Sequence, residues 1–220
     1  MSTNKTNFNN LTITTSDRNL KLVPNDKIKF IIWNLPAGST CPFASDDCIK
    51  FCYAKKAERI YKAVRECRTN NYNASRDRDF VLNMLKHIGG IMSKKTYKNA
   101  KAVIFRVHES GDFYSQQYFD KWLTIATVAG MAYKNLIFIA YTKSLKFVHD
   151  VPANFVIRSS IDNSTKEENK QLTIDLGLPT YTAVNKFSED PGVKKCRCED
   201  CGTCLQCMTN NAKNIECEIH

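Results

Sequence analysis

The chain has 220 residues, 43% apolar and 25% charged, with 32 lysines and arginines against 22 acidic residues for a formal net charge of +10. That size and balance fit one globular domain with a sizeable core, and no apolar run approaches the roughly 20 residues that cross a bilayer, which excludes a membrane span. The basic excess points to an anionic partner such as nucleic acid, although the lysines of KKAERIYK and KKTYKNAK equally fit a solvated helix face.

Residues 1–26 are read as a polar segment; the first nineteen, rich in Asn and Thr, lack the apolar stretch of a secretory signal, so the protein is expected in the cytoplasm. KIKFIIW at 27–33 is β-branched and aromatic and stops at Asn34-Leu35-Pro36-Ala37-Gly38, as a buried first strand would. After a cysteine-bearing loop, Ala57, Ile60, Tyr61, Val64 and Cys67 recur at helical spacing, with Ser45 or Asp46 able to cap the start. A second helix is expected from about Ser75, with Val81, Met84, Leu85, Ile88 and Met92 on one face and Gly89-Gly90 near its end.

Strand and helix then alternate. AVIFRVHES at 102–110 reads as a strand, followed by a helix from Ser115 with Phe119, Trp122, Leu123 and Ala126 inward and Gly130 as its stop. NLIFIAYTKS at 135–144 and NFVIRSSID at 154–162 are further strands, separated by a short helical stretch from Leu145 to His149. A helix ending at Gly177 and a strand PTYTAVNK at 179–186 complete an α/β domain over 27–190, and 191–220 forms a cysteine-rich segment. Such alternation implies parallel pairing through crossovers, in an open doubly wound sheet or a partial barrel, with active residues at the C-terminal ends of the strands.

Ten cysteines in a reducing compartment point to metal rather than disulfides, and their bunching agrees. Cys41, Cys48 and Cys52 follow the first strand, where three thiolates can share a metal centre and leave one coordination position open. In the tail, Cys196-Arg-Cys198 leads into two-residue gaps through Cys201, Cys204 and Cys207, the way thiolates wrap a ferredoxin cluster. Cys198, Cys201, Cys204 and Cys207 are the expected ligands, with zinc as the alternative metal because paired C-x2-C steps also make tetrahedral zinc sites.

The end of the second strand concentrates ionisable groups: Arg106, His108, Glu109 and Asp112 around Ser110-Gly111. Glu109 and Asp112 can accept hydrogen bonds from an ammonium or hydroxyl, and Gly111 allows the backbone close to a bound molecule; the plainer alternative is that Asp112 and Ser115 cap the next helix. Lys143, and Arg158 with Ser160, end the next two strands and suit a carboxylate, ribose or phosphate. His108, Glu109, Asp112 and Lys143 are therefore the candidate catalytic residues.

At CPFASDDCIKFCYA, RVHESGDFYSQQYFDKW, AYTKS and the tail, the sequence resembles, over about 28–208, a phage and bacterial family known as gene product 88. Its arrangement is similar in turn to radical S-adenosylmethionine enzymes, although its cysteine gaps are six and three residues where their usual loop has three and two. That resemblance implies a partial (β/α) barrel of five to six mostly parallel strands. It also implies a 4Fe–4S cluster on Cys41, Cys48 and Cys52, an auxiliary cluster in the tail and an external electron donor. S-adenosylmethionine would lie against Ser110, Gly111 and Asp112, with its carboxylate or ribose near Arg158 and Ser160.

Overall fold

The computed structural model describes residues 11–15, 28–196, 206–208 and 214–218. Cys198, Cys201 and Cys204, three of the four expected tail ligands, lie outside the described residues, as does most of the polar segment 1–26.

Eight strands form one sheet: β1 (Thr14–Thr15), β2 (Ile28–Trp33), β3 (Ala102–Val107), β4 (Leu136–Thr142), β5 (Phe155–Ile161), β6 (Thr180–Val184), β7 (Lys194–Cys196) and β8 (Ile215–Glu218). Their spatial order is β1-β2-β3-β4-β5-β6-β8-β7. Every pairing is parallel except that of β1 with β2. The five expected strands are thus β2 to β6, side by side in chain order. The expected count of five to six is exceeded by a short strand at one edge and two at the other, and the sheet is open, with β1 and β7 at its margins.

The helices are α1 (Asp46–Lys50), α2 (Tyr53–Ile60), α3 (Lys62–Arg76), α4 (Phe80–Met92), α5 (Lys95–Lys98), α6 (Gln116–Ala132) and α7 (Glu167–Asp175), and a 3-10 turn covers Leu145–Phe147. Alternate strand residues face two separate apolar clusters, because successive side chains on a strand point to opposite faces. Trp33, Phe105 and Phe138 join Phe80, Met84, Ile88 and Trp122 of α4 and α6 in the larger cluster. Phe30, Ile32, Ile104, Ile139 and Val156 face the other way, and there Met208 of the C-terminal segment covers them.

Helix boundaries differ from the sequence reading for identifiable reasons. The single helix expected through Ala57 to Cys67 is broken at Tyr61, the extended residue between α2 and α3. Its apolar stripe does not face the core: Ile60 is 55% and Tyr61 60% exposed. The inward side of α3 instead carries Arg68, Asn71 and Ser75. Arg68 is bound to Glu58 at 2.8 Å, and Asn71 bonds the main chain at Thr12 and Asn34. Specific hydrogen bonds thus replace a hydrophobic stripe. Ser75 ends α3 rather than opening α4.

Gly130 does not stop α6, which runs on to Ala132. Its lack of a side chain makes room for Asn154, whose amide donates to the Ala126 carbonyl at 2.9 Å. Gly177, at φ +59°, takes the left-handed position just past α7 that favours glycine.

Burial separates the two helical faces experimentally. Met84→Ala, in the core, should cost about 2–5 kcal/mol in urea unfolding. Ile60→Ala should stay within about 0.5 kcal/mol of the parent, although both positions have the same periodic signature.

Candidate functional site at the strand ends

The loops after β2, β3, β4 and β5 meet at the C-terminal edge of the sheet, held by side chains that reach across large sequence separations. Asn34, just past β2, accepts the main-chain N–H groups of Glu109 and Ser110 at 2.8 and 2.9 Å. Ser110 Oγ donates to the Leu35 carbonyl at 2.8 Å, and the Asp112 N–H donates to that of Thr40 at 3.2 Å. Gly111 sits at φ +83°, where a Cβ would lie 2.6 Å from Leu35 Cβ and 2.7 Å from Thr40 Oγ1. The close approach that Gly111 permits in this fold is therefore between two loops of the chain itself.

Asp112 and Asp162 clamp the remaining loops. Asp112 accepts from Thr142 Oγ1 at 2.5 Å and from the main-chain N–H groups of Phe113 and Lys143 at 2.8 and 3.0 Å. Burial raises its pKa, and these hydrogen bonds oppose the rise. Asp162, after β5, receives Ser45 Oγ at 2.5 Å and Lys143 Nζ at 2.9 Å. Burial disfavours its charge, but Ser45 and Lys143 outweigh that and lower its pKa. Lys143 also donates to the Ser160 carbonyl at 2.8 Å and Thr165 Oγ1 at 3.1 Å, so its three donors are all engaged.

Through Ser45 this network holds the cysteine loop. Ser45 caps α1 by accepting the Cys48 N–H at 3.3 Å, and the Asp47 N–H donates to Ser164 Oγ at 2.8 Å. Cys52 caps α2, its sulfur accepting the Lys55 N–H at 3.4 Å. Burial, then Asp112 and more weakly Cys48 and Cys52, push the Cys41 thiol up to about 12. Burial likewise raises Cys48, with Lys143 opposing and Cys52 adding to the rise. The three thiols thus share one electrostatic neighbourhood, and all three are unbridged. Among the described residues, no three His, Cys, Asp or Glu side chains close on a position that could hold a single metal ion.

The other sequence candidates separate into structural groups and free ones. His108, at φ +69°, is buried on the helix side, with Nε2 3.0 Å from Tyr118 Oη and its ring edge-on to Phe113. Burial drives its pKa down to about 3, so it is a neutral core residue at physiological pH. Arg158 is fully buried and donates to the carbonyls of Cys207 at 2.6 Å and Thr180 at 3.1 Å, which fastens the C-terminal segment to the sheet. Ser160 is half-buried beside it on β5. Glu109 is half-buried, and among the described residues its carboxylate makes no ion pair within 4.0 Å.

Arg106 stands in the sequence among the ionisable groups of its strand end, with no role assigned to it there. It lies on the sheet face away from the helices, its guanidinium 5.3 Å from the Tyr141 ring centroid. Its Nε is buried with no hydrogen-bond partner. Burial works against its charge, and the Glu109 carboxylate is the neighbour charged at neutral pH that favours it. Its signal in the sequence was a charged residue at an inward strand position. The structure also brings Cys217, which stood apart in the sequence, into register opposite Cys196 on β7 and β8.

The gene product 88 sequence profile matches residues 4–210. The chain belongs to the gene product 88 family. Two relatives carry the name Gene 88 protein. That of Mycobacterium phage D29 is 32% identical over 113 residues, covering 50% of this chain and 45% of the relative. That of Mycobacterium phage L5 is 34% identical over 92 residues, covering 40% and 38%. The aligned part of this gene product 88 chain spans less than half the length of these relatives. No solved structure matches it. No helix among its described residues is long and apolar enough to cross a membrane.

Two measurements probe the site's frame. Asp162→Asn should lower stability by about 3–5 kcal/mol, because it leaves the Lys143 ammonium buried without its counter-charge, and Lys143→Met in the Asp162→Asn background should recover part of the loss. His108 in the folded state resists protonation, whereas in the unfolded chain it protonates near pH 6.5. The unfolded state therefore binds more protons below that pH, and this contribution to stability is lost as pH falls from about 6.5 toward about 3, at up to about 1.4 kcal/mol per pH unit. Urea unfolding should show a steeper loss of stability between about pH 6.5 and about pH 4.5 in the parent than in His108→Phe, which keeps only the contributions of the other titrating groups.

Proposed function

We propose that the chain is an iron–sulfur enzyme of the radical S-adenosylmethionine type. Cys41, Cys48 and Cys52 ligate one 4Fe–4S cluster, and Cys198, Cys201, Cys204 and Cys207 hold a second. The observation that carries this reading is the placement of three free thiols in one buried-edge loop, electrostatically coupled and clamped by Ser45 to Asp162 and Lys143 over the ends of parallel strands. Three free thiols are the donor type that an iron–sulfur cluster takes. The sequential order of β2 to β6 supports a partial barrel, a sheet that curls around the space its strand ends face.

When bound, a cluster with one open iron supplies reductive cleavage of S-adenosylmethionine, using an electron from an external donor. The chain's own task is positioning. Glu109 and Arg106 influence one another electrostatically but make no ion pair within 4.0 Å among the described residues, and they complement an ammonium and a carboxylate or phosphate respectively. Asp112, Lys143 and Arg158 support the site by fixing its loops, and neutral His108 fills the core beneath it. The segment at Cys207 and Met208 covers the inner face of the sheet and limits water there.

Anaerobic reconstitution with iron and sulfide tests this directly. The parent should turn brown, bleach with dithionite and release 5′-deoxyadenosine from S-adenosylmethionine. Cys41→Ala, Cys48→Ala and Cys52→Ala should each abolish that release while keeping the electron paramagnetic resonance signal of the tail cluster. Protein that binds zinc at the tail and takes up no iron at the loop would overturn the enzyme reading.

A further inference from the structure

Half of the large hydrophobic side chains exposed among the described residues fall between Ile49 and Tyr61. Exposed apolar side chains scattered singly are ordinary, but a cluster marks a surface that meets something. Three of them, Ile49, Phe51 and Tyr53, line a groove of about 750 Å³ that Cys52 also borders. Lys50, Lys55, Lys56, Arg59 and Arg65 line the same groove. Its single acidic lining residue, Glu58, is spent: its carboxylate accepts from Arg68 Nη1 and from the Ala37 N–H, both at 2.8 Å. Five cations therefore face the groove without an acid of its lining left to offset them. Lys50 Nζ already lies 5.1 Å from the Phe51 ring centroid, so ring and cation work at one point of the surface.

We propose that this groove binds single-stranded nucleic acid. Cations spaced along a channel follow a phosphate backbone, and exposed rings among them provide platforms on which unpaired bases stack. A duplex hides the faces of its bases and would leave Phe51 without a partner. An acidic peptide would use the cations but has no flat rings to match the aromatic ones. A membrane surface is met by the apolar face of one long helix, whereas here Ile49, Phe51 and Tyr53 are spread over the short α1, its C-cap and the first residue of α2. The unabsorbed +10 charge of the chain has the same explanation. This assignment goes beyond the metal reading and holds whether or not the thiols carry iron.

Fluorescence anisotropy of the full chain with a labelled oligo(dT) of about twelve nucleotides is the test. Saturable binding is expected at about 50 mM salt, and with all five cations engaged the slope of log K against log salt should approach about −3.5. Phe51→Ala should weaken binding by about fivefold or more with an unchanged slope, since each stacked base contributes at least that factor. Lys56→Gln combined with Arg59→Gln should make the slope shallower by about 1.4. All three side chains are exposed, and an unaltered thermal melt would show that the variants fold. Absence of saturable binding by the parent would overturn the proposal. So would Phe51→Ala binding as tightly as the parent, equal affinity for a duplex of the same length, or tighter Phe51-dependent binding to phosphatidylserine vesicles. None of these results bears on iron uptake, so the two readings fail separately.

Discussion

The carboxylate of Asp162 is the point on which the site depends. It receives a hydroxyl from the cysteine loop and an ammonium from the end of β4, while itself standing at the end of β5. The pair with Lys143 is almost wholly buried, where an isolated charge is untenable and a well-bonded pair is tolerated only in one geometry. Ser45 then links that geometry to Cys48 by capping α1, so the positions of the thiols are inherited from an ion pair more than a hundred residues away in the chain. Asp112 does the same for β3 and β4 through Thr142 and the Lys143 N–H.

Much of the ionisable chemistry at the strand ends is therefore architectural. Asp112, Lys143, Asp162 and Arg158 spend their hydrogen-bonding capacity on the protein, and His108 is sealed as a neutral ring. Glu109 and Arg106, by contrast, make no ion pair within 4.0 Å among the described residues. A rigid, internally satisfied frame around a few unsatisfied groups is how a preorganised site is built.

The elements themselves were legible in the sequence wherever burial on both faces forced a simple pattern. β2 to β6 fall within three residues of their expected bounds, because a buried parallel strand is a short apolar run between turn residues. Ser115 caps α6 and Gly177 follows α7, as local chemistry alone requires. The reading failed where packing used polar groups: α3 buries Arg68 and Asn71, which periodicity counts as outside. It failed again at Gly130, whose role is set by Asn154 from a distant loop.

Composition and pattern by themselves determined an α/β domain with parallel strands, a cysteine loop at their C-terminal ends and a basic surface. These follow from periodicity, chain polarity and charge, which are local properties. Only the tertiary structure decided which ionisable groups are free, because that depends on partners far apart in sequence: Lys143 is consumed by Asp162, Arg158 by Cys207 and Thr180, and His108 by the core, whereas the Nε of Arg106 meets no partner. It also decided that the inner side of α3 carries Asn71, whose hydrogen bonds reach Thr12 and Asn34, while Ile60 and Tyr61 of the expected stripe face outward.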